Sequence, residues 1–211
     1  MEEALIWDCD GVLVDSEPLS NAAWQTVLLR RGVRATSTDL DRFTGRSDDA
    51  VLEHYRRVTG DRLEGILEER EAEFERQARG VLTTFPGLPE LLGRLHGRGR
   101  RMAVASSGRL PRIRFSLAET GLDRYFETVC SATEVEHGKP APDLFLLAAR
   151  RLGVPPSRCV VIEDSVPGLQ AAVGAGMRAL GFTSSHPAPV LREAGAAETF
   201  DDYGRLEGLL G

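Results

Sequence analysis

Two aspartates at alternate positions are the first residues of this chain whose types and spacing suggest chemistry. Asp8 and Asp10 follow the apolar segment 4–7, and Gly11 comes directly after them. Carboxylates can serve as nucleophiles, as general acids or bases, and as ligands of hard cations. An isolated Asp-x-Asp-Gly pattern is more often a strand that ends in a tight turn. The pair therefore needs support from polar residues elsewhere in the sequence.

Three further polar segments follow apolar segments or lie in the loops between them. They are Ser106, Ser107 and Gly108 after the apolar segment 102–105, Lys139 in a proline-rich loop, and Glu163 with Asp164 after the apolar segment 159–162. Taken singly, each has an ordinary interpretation. A hydroxyl-rich turn commonly starts a helix, a lysine between prolines is usually solvated, and an acidic pair often caps a helix.

The order and the joint chemistry of these segments favour one shared site. Ligands of open α/β sheets bind beyond the carboxyl ends of the strands. Asp8, Asp10 and Asp164 are expected to converge there on a divalent cation, most naturally Mg²⁺, because like charges so close together need a counterion. Ser106 and Lys139 could hold the oxygens of a phosphoryl group. Phosphoryl transfer needs this combination of nucleophile, metal, cation, hydrogen-bond donors and proton donor.

Five short apolar segments predict the sheet that must position these residues. They cover residues 4–7, 102–105, 127–130, 159–162 and 179–182, mostly with helix-like stretches between them. This alternation predicts an α/β fold with a doubly wound, parallel, Rossmann-like sheet. About ninety residues separate the first two strands, far more than a single crossover helix requires. An insertion is therefore expected there.

The insertion has the pattern of a small helical domain. Ser16 is expected to cap a first helix, which Gly32 ends, and further helical patterns cover residues 48–58 and 63–80. We therefore predict an α-helical cap domain over residues 15–82 and an α/β core domain over 1–14 and 83–211. The hinges between the two are expected near residues 15–17 and 83–87.

Four motifs in this order resemble those of the haloacid dehalogenase-like hydrolases. They are DCDGVLVDSE from Asp8, a hydrophobic segment with Ser-Ser-Gly, GKPAPDLF, and VVIEDSVPG, and they span essentially the whole chain. The helical insertion after the first motif resembles the class that includes phosphoglycolate phosphatases and β-phosphoglucomutases. The resemblance implies a phosphatase that hydrolyses a small phosphomonoester, such as a sugar phosphate, through an aspartyl-phosphate.

The resemblance also implies a role for each motif residue. Asp8 becomes the nucleophile and Asp10 the general acid/base. The Mg²⁺ ligands become Asp8, the backbone carbonyl of Asp10, and Asp164, with Glu163 supporting them directly or through water. The phosphoryl oxygens are expected to contact Ser106, Lys139 and the backbone N–H groups near Gly11 and Ser107.

Substrate recognition is expected to come from the cap. Arg46 lies in a turn between predicted helices, and the weaker candidates for the same role are Glu17, Asn21, Arg109 and Arg112. An ordinary surface arginine is an equally good interpretation of Arg46, since the chain carries 26 lysines and arginines. Trp24 is expected to pack inside the cap.

Three other functions compete with the phosphatase. A β-phosphoglucomutase typically has a histidine at the position of Ser20 and a cap loop different from residues 44–48, so hydrolysis is the simpler reading. A receiver-type signalling domain also groups aspartates, a hydroxyl and a lysine around Mg²⁺, but it lacks a helical insertion. A dinucleotide-binding oxidoreductase is disfavoured because no GxGxxG motif follows the first strand.

Composition limits the partners. The 211 residues are 42% hydrophobic and 27% charged with a net charge of −6, which disfavours a general electrostatic attraction to nucleic acid or anionic membranes. The apolar runs are far shorter than the roughly 20 residues of a membrane span, and the acidic residues 1–3 do not resemble a signal peptide. A cytoplasmic monomer that binds a small phosphate ester is expected. Cys9, Cys130 and Cys159 lack a metal or disulfide spacing and are predicted to be buried thiols.

Overall fold

A six-stranded parallel sheet forms the centre of the computed structural model, which describes residues 4–43, 46, 48–59 and 63–210. The strand order is β3-β2-β1-β4-β5-β6, and every neighbouring pair is parallel. The strands are β1 (Ala4–Trp7), β2 (Arg101–Ser106), β3 (Thr128–Ser131), β4 (Cys159–Glu163), β5 (Arg178–Phe182) and β6 (Glu198–Phe200). The first five agree with the predicted strands to within one residue at each end, whereas β6 was missed because three residues carry no periodicity.

Helices cover both faces of the sheet. They are α1 (Glu17–Arg30), α2 (Ser37–Asp41), α3 (Asp48–Thr59), α4 (Ile66–Ala78), α5 (Leu88–Gly97), α6 (Leu110–Glu119), α7 (Asp143–Leu152), α8 (Val166–Gly174), α9 (Ala188–Glu193) and α10 (Tyr203–Leu209). Along β1, Leu5 and Trp7 face the apolar cluster under α5, α6 and α10, while Ala4 and Ile6 face the cluster under α7 and α8. A strand buried on both faces is the mark of a doubly wound sheet. The predicted fold class is confirmed.

Helices α1 to α4 lie between β1 and α5 and share an apolar cluster of their own. Trp24 belongs to this cluster, as predicted, together with residues of α1, α2, α3 and α4. Phe74 and Ala78 of α4 belong instead to the cluster of the sheet, so they attach the insertion to the core. We propose that residues 15–82 form a cap domain on a core of residues 1–14 and 83–211.

The two segments that join the insertion to the core run side by side. The N–H of Asp15 donates to the carbonyl of Thr83 over 3.0 Å, and Val14 forms an antiparallel bridge with Thr84. The side chain of Ser16 does not cap α1, contrary to the sequence prediction. Ser16 has a helical backbone, with φ of −98° and ψ of −14°, whereas a capping residue is normally extended; its hydroxyl donates to the carboxyl group of Asp10.

The cysteines and the helix lengths were also predicted from the sequence. The three cysteines are free and buried, as predicted. Within the described residues, none of the helices has the length and apolar character needed to cross a bilayer. The acidic residues 1–3 and the cap-loop residues Thr44, Gly45 and Ser47 lie outside the described residues.

Tyr203 connects α10 to the loop that carries the first aspartates, which leads to a stability prediction. Its hydroxyl donates to the carbonyl of Val12, and its buried ring lies 4.9 Å from that of Phe182. Tyr203→Phe should lower the free energy of unfolding by about 1–3 kcal/mol, since it leaves a buried carbonyl without a donor. Urea unfolding measures this, with Tyr125→Phe as the control because its hydroxyl bonds to the exposed Arg124. Equal losses in both variants would contradict the assigned role.

Candidate active site

The central position of β1 brings the predicted site residues together. Trp7 pairs with Val104 of β2 on one side and with Ile162 of β4 on the other. The N–H of Asp8 extends this pairing by one residue, donating to the carbonyl of Ile162 over 3.0 Å. Because all three strands are parallel, the residues that follow them meet at one edge of the sheet. Asp8, Ser106 and Glu163 therefore lie next to one another.

Lys139 is buried among carboxylates at this edge. Its ammonium group donates to Asp8 and, over 2.7 Å, to Oε1 of Glu163, and only 1% of its side chain is exposed. Burial by itself would lower the pKa of Lys139, but the two carboxylates outweigh it and raise the pKa above its ordinary value. Lys139 therefore stays a cation in the floor of the site, where a phosphoryl oxygen could replace part of its carboxylate contacts.

The carboxyl group of Asp8 has a strongly perturbed pKa. Burial raises it to about 7, against the opposing effect of Lys139, and the negative charge of Glu163 raises it further. A carboxylate in such surroundings is poorly solvated, which suits a nucleophile that must attack a phosphorus atom. Asp8 lies where the sequence prediction requires the nucleophile.

Glu163 is held by donors on both of its oxygens. Oε1 accepts from Lys139, and Oε2 accepts from the N–H groups of Asp164 and Ser165 and from the Ser165 hydroxyl, over 2.7 to 2.9 Å. These contacts make Glu163 the residue that positions Lys139. A metal-binding role for Glu163, direct or through water, stays a prediction.

Asp164 is a buried carboxylate in surroundings that suit a ligand of a divalent cation. Its buried carboxylate accepts from the hydroxyls of Ser184 and Ser185, and within the described part of the chain it forms no ion pair with a cationic side chain. Burial raises its pKa well above the ordinary value, and the charges of Glu163 and Asp8 add to this effect. A divalent cation between Asp8 and Asp164 would relieve the repulsion.

The backbone of Gly11 lies close to the carboxylate of Asp164. A Cβ atom on Gly11, whose φ is +79°, would overlap the Asp164 carboxylate, so the backbone approaches this group closely. No three acidic, histidine or cysteine side chains are grouped as metal ligands among the described residues. The predicted site differs from such a group because it uses two carboxylates and the backbone carbonyl of Asp10. The donor set therefore fits Mg²⁺ if water completes it.

The side chain of Asp10 has separate partners. Its Oδ1 accepts from the hydroxyl of Ser16 and, over 2.8 Å, from Nη2 of Arg112 on α6. Its Oδ2 lies 3.7 Å from the place that a Cβ on Gly108 would take. Asp10 thus faces the turn after β2 and is kept apart from the Asp8–Lys139 contact. This arrangement agrees with a group that exchanges protons with the leaving oxygen rather than one whose side chain binds the metal.

The turn after β2 supplies hydrogen-bonding groups to the same place. Ser106 is 1% exposed and its Oγ accepts from the N–H of Gly108 over 3.1 Å. The hydroxyl of Ser131 donates to the carbonyl of Gly108 over 2.7 Å, which fixes the turn from β3. The Ser106 hydroxyl retains its own proton to donate to a bound oxygen.

A cavity above these groups lies between the sheet edge and the helical insertion. Its lining includes the predicted site residues Asp8, Asp10, Gly11, Ser106, Ser107, Glu163 and Asp164 and the predicted cap residues Glu17, Asn21 and Arg46. Lys139 lies beneath, bonded to Asp8. The structure therefore brings the predicted cap residues to the same space as the carboxylates, although their roles in binding stay predictions. Asn21 donates to Asp41 over 3.0 Å, and Arg46 is exposed.

Sequence reasoning missed Arg70, a fully buried arginine of the cap. Its Nη2 donates to the hydroxyl of Ser20 over 2.6 Å and its Nη1 lies 3.2 Å from Asp48. Burial lowers the pKa of Arg70 to about 10, and the nearby charge of Arg112 contributes in the same direction. A signal did exist, because position 70 falls on the apolar stripe formed by Ile66, Leu67 and Phe74. Because α4 is rich in charged residues, the position of Arg70 on this stripe did not stand out.

Comparisons with known proteins identify the family of this chain. Residues 2–176 match the family model of the haloacid dehalogenase-like hydrolases. The chain belongs to that family. The hydrolase class predicted from the four motifs is thereby confirmed, whereas the roles of the individual site residues stay predictions.

Relatives within the haloacid dehalogenase-like hydrolases include enzymes of sugar phosphates. The chain is 36% identical over 178 residues to the fructose-1-phosphate phosphatase YqaB of Escherichia coli, covering 83% of this chain and 94% of that protein. It is 36% identical to SUPPRESSOR OF QUENCHING 1 of Arabidopsis thaliana over 96% of its own length but only 20% of that protein. A putative β-phosphoglucomutase from Thermotoga maritima superposes with a TM-score of 0.80 at 31% identity, covering 99% and 98% of the two chains.

Gly168 offers a direct test of how this hydrolase site is positioned. A Cβ atom at Gly168 would overlap the carboxylate of Glu163, so Gly168→Ala must displace Glu163 and with it Lys139. We expect a loss of phosphate-ester hydrolysis of at least about tenfold, since misplacing a binding group by 1 Å can cost about 100-fold.

The control for Gly168→Ala is Gly208→Ala in α10. Gly208 is also helical, and a Cβ atom there meets nothing within 4 Å. Steady-state kinetics and thermal unfolding of both variants separate a loss of activity from a loss of fold. Full activity in a folded Gly168→Ala protein would contradict the positioning role of Glu163.

Proposed function

We propose that this protein is a Mg²⁺-dependent phosphatase that hydrolyses a small phosphomonoester, in particular a sugar phosphate, through an aspartyl-phosphate. The observation that carries the proposal is the buried contact of Lys139 with Asp8 and Glu163 at the edge of the sheet. Asp164, Ser106 and the amides of the turn after β2 surround the same point. A dianionic phosphoryl group would find there a cation, hydrogen-bond donors and a nucleophile.

In the first half-reaction, the Asp8 carboxylate attacks the phosphorus atom of the ester. The bond between phosphorus and the alcohol oxygen breaks, and a proton from Asp10 passes to that oxygen so that a neutral alcohol leaves. Lys139 and Ser106 contact the phosphoryl oxygens during transfer. Mg²⁺, held by Asp8, Asp164 and the carbonyl of Asp10, would neutralise charge on the phosphoryl group.

In the second half-reaction, water attacks the phosphorus atom of the aspartyl-phosphate. Asp10, now a carboxylate, accepts a proton from that water, and the bond between phosphorus and Asp8 breaks. Inorganic phosphate leaves and Asp8 is again a carboxylate. Between the two half-reactions, the helical cap limits the access of bulk water to the site. This favours transfer of the phosphoryl group to Asp8 over side reactions.

The character of the cap side of the cavity supports a carbohydrate as the alcohol. Glu17, Ser20 and Asn21 of α1 line it together with the exposed Arg46. Hydroxyl, amide and carboxylate groups pair well with sugar hydroxyls. The names of the relatives, among them a fructose-1-phosphate phosphatase, support the same substrate class.

A β-phosphoglucomutase activity is the second candidate, and the similarity to a putative mutase of Thermotoga maritima favours it. A mutase must protect its aspartyl-phosphate from water until the sugar intermediate is in place. Ser20, which occupies the place of the mutase histidine, accepts a hydrogen bond from Arg70 and has no charge to offer near neutral pH. This observation favours hydrolysis.

The proposed function is tested first by phosphate release from a panel of sugar phosphates with Mg²⁺ present. Wild-type protein should release phosphate, and excess EDTA should abolish the release. Asp8→Asn should lower kcat by more than about a thousandfold, because the nucleophile is lost while its shape remains. Turnover near the wild-type value in Asp8→Asn would require another nucleophile.

Mg²⁺ binding can be measured without turnover by thermal unfolding. At a Mg²⁺ concentration about 100 times Kd, the folded state gains about 2.7 kcal/mol, which corresponds to roughly 5–10 °C in Tm for a chain of this size. Asp164→Asn should remove most of this shift. The matched control is Asp123→Asn, which changes an exposed carboxylate that does not line the cavity. A shift of the same size in Asp164→Asn would contradict the metal assignment.

β-Glucose 1-phosphate tests whether the enzyme hydrolyses a sugar phosphate or moves its phosphoryl group from the 1-position to the 6-position. Because Ser20 carries no charge, we expect any turnover to yield glucose and phosphate without accumulation of glucose 6-phosphate. Phosphorus NMR follows all three phosphorus species in one sample. Formation of the 6-phosphate faster than release of phosphate would establish the mutase.

A further inference from the structure

Arg112 occupies an unusual place for a cation. It lies in the first turn of α6, directly after the Ser106–Gly108 turn, and only 7% of its side chain is exposed. The positive end of a helix dipole disfavours a cation there, and burial adds a desolvation cost. A buried arginine at this position needs carboxylates close by.

Arg112 pairs with carboxylates from both sides of the cavity. Nη2 of Arg112 donates to Oδ1 of Asp10 over 2.8 Å, and Nη1 lies 3.8 Å from Oδ2 of Asp48 in the first turn of α3. The guanidinium also lies over the ring of Phe74 on α4, 4.5 Å from its centroid. One side chain of the core thus contacts the candidate general acid/base and two helices of the insertion.

Asp48 is itself fixed within the insertion. It accepts from the indole N–H of Trp24 over 3.2 Å and pairs with Arg70 at 3.2 Å. The two arginines and the two aspartates balance in charge, so this cluster has no excess positive charge for a second anionic group of the substrate. Its geometry is better suited to holding Asp10 than to binding a ligand.

We propose that Arg112 is a positioning residue that couples the seating of the cap to the orientation of Asp10; this inference rests on the proposed function. Arg112 holds Oδ1 of Asp10 so that Oδ2 faces the turn after β2. Asp48 and Phe74 hold Arg112 in turn. When these cap contacts are absent, Asp10 loses its fixed orientation, and proton transfer to the leaving oxygen becomes inefficient.

The test uses Arg112→Met, which keeps an unbranched apolar stem and removes the charged guanidinium group. The substrates are a sugar phosphate that the wild type accepts and p-nitrophenyl phosphate, whose leaving group departs without a proton. The parameter is kcat/KM, because it reports the steps up to transfer of the phosphoryl group to Asp8. We expect a loss of at least about tenfold for the sugar phosphate, within the range of general acid catalysis, and a loss at least fivefold smaller for the aryl ester.

Two reference variants make the result specific. Asp10→Asn should show the same dependence on the leaving group with a larger loss. Arg109→Met serves as the matched control, since Arg109 also joins α6 to the cap, through Glu71 at 3.7 Å and Glu68 at 3.9 Å. Contrary to its weak sequence prediction as a substrate-binding residue, Arg109 does not line the cavity. Arg109→Met should leave the ratio of the two kcat/KM values unchanged.

Asp48→Asn tests the contact between Arg112 and the cap. This variant should reproduce the leaving-group dependence in weaker form, and Arg112→Met/Asp48→Asn should lose no more than Arg112→Met alone, because the two residues act on Asp10 in series. Fully additive losses would contradict the coupling. Where Arg112→Met does not fold by circular dichroism, Arg112→Lys replaces it, with an intermediate loss expected since one ammonium group cannot contact both carboxylates.

Other outcomes distinguish this inference from the proposed function. Equal losses of kcat/KM on both substrates would mean that Arg112 binds the phosphoryl group, and unchanged kinetics would mean that it has no role; either contradicts the inference. A wild type that releases no phosphate from any ester would contradict the proposed function itself.

Discussion

A buried ammonium group shared by two carboxylates is the interaction on which the rest of this site depends. Lys139 contacts Asp8 and Glu163, and all three are almost completely removed from solvent. Buried charges are tolerated only when they are paired and hydrogen-bonded. Asp8 follows β1 and Glu163 ends β4, so the pairing of two neighbouring strands is also the condition for a stable ion cluster. The fold and the chemistry therefore share one constraint.

The burial of the cluster against apolar strands perturbs its pKa values. Desolvation raises the pKa of Asp8 to about 7 and that of Asp164 well above its ordinary value. The same low dielectric strengthens every contact of Lys139 with a bound anion. A cation beside Asp164 would relieve the repulsion among the carboxylates of the free protein, and it would offset the negative charge that a phosphoryl group meets beside Lys139. Under the proposed function, binding and catalysis use this excess of buried negative charge. A site on an open surface would be solvated and would not have it.

Local patterns predicted much of this structure. Five strands and the convergence of Asp8, Ser106 and Glu163 follow from apolar segments that end in polar residues, because parallel strands place such ends at one edge. The contacts of Arg70 and Arg112 could not be predicted in the same way. Arg112 reaches Asp10 across 102 positions of the chain, and its partner on the cap depends on how α3 and α4 pack. The missed strand β6 has only three residues, too few for a pattern to appear.

Under the proposed function, the distribution of charge over the cavity separates phosphate binding from recognition of the alcohol. The floor carries Lys139 and the acidic pair that suits a cation, whereas the cluster at the cap boundary pairs each arginine with an aspartate. A cap with excess positive charge would compete with the floor for the phosphoryl group and hold the ester in a wrong orientation. Because Glu17 offsets the charge of Arg46, and Ser20 and Asn21 are neutral, the cap contributes polarity without an excess of positive charge. Substrate choice can then change through cap residues while the chemistry of the floor is preserved.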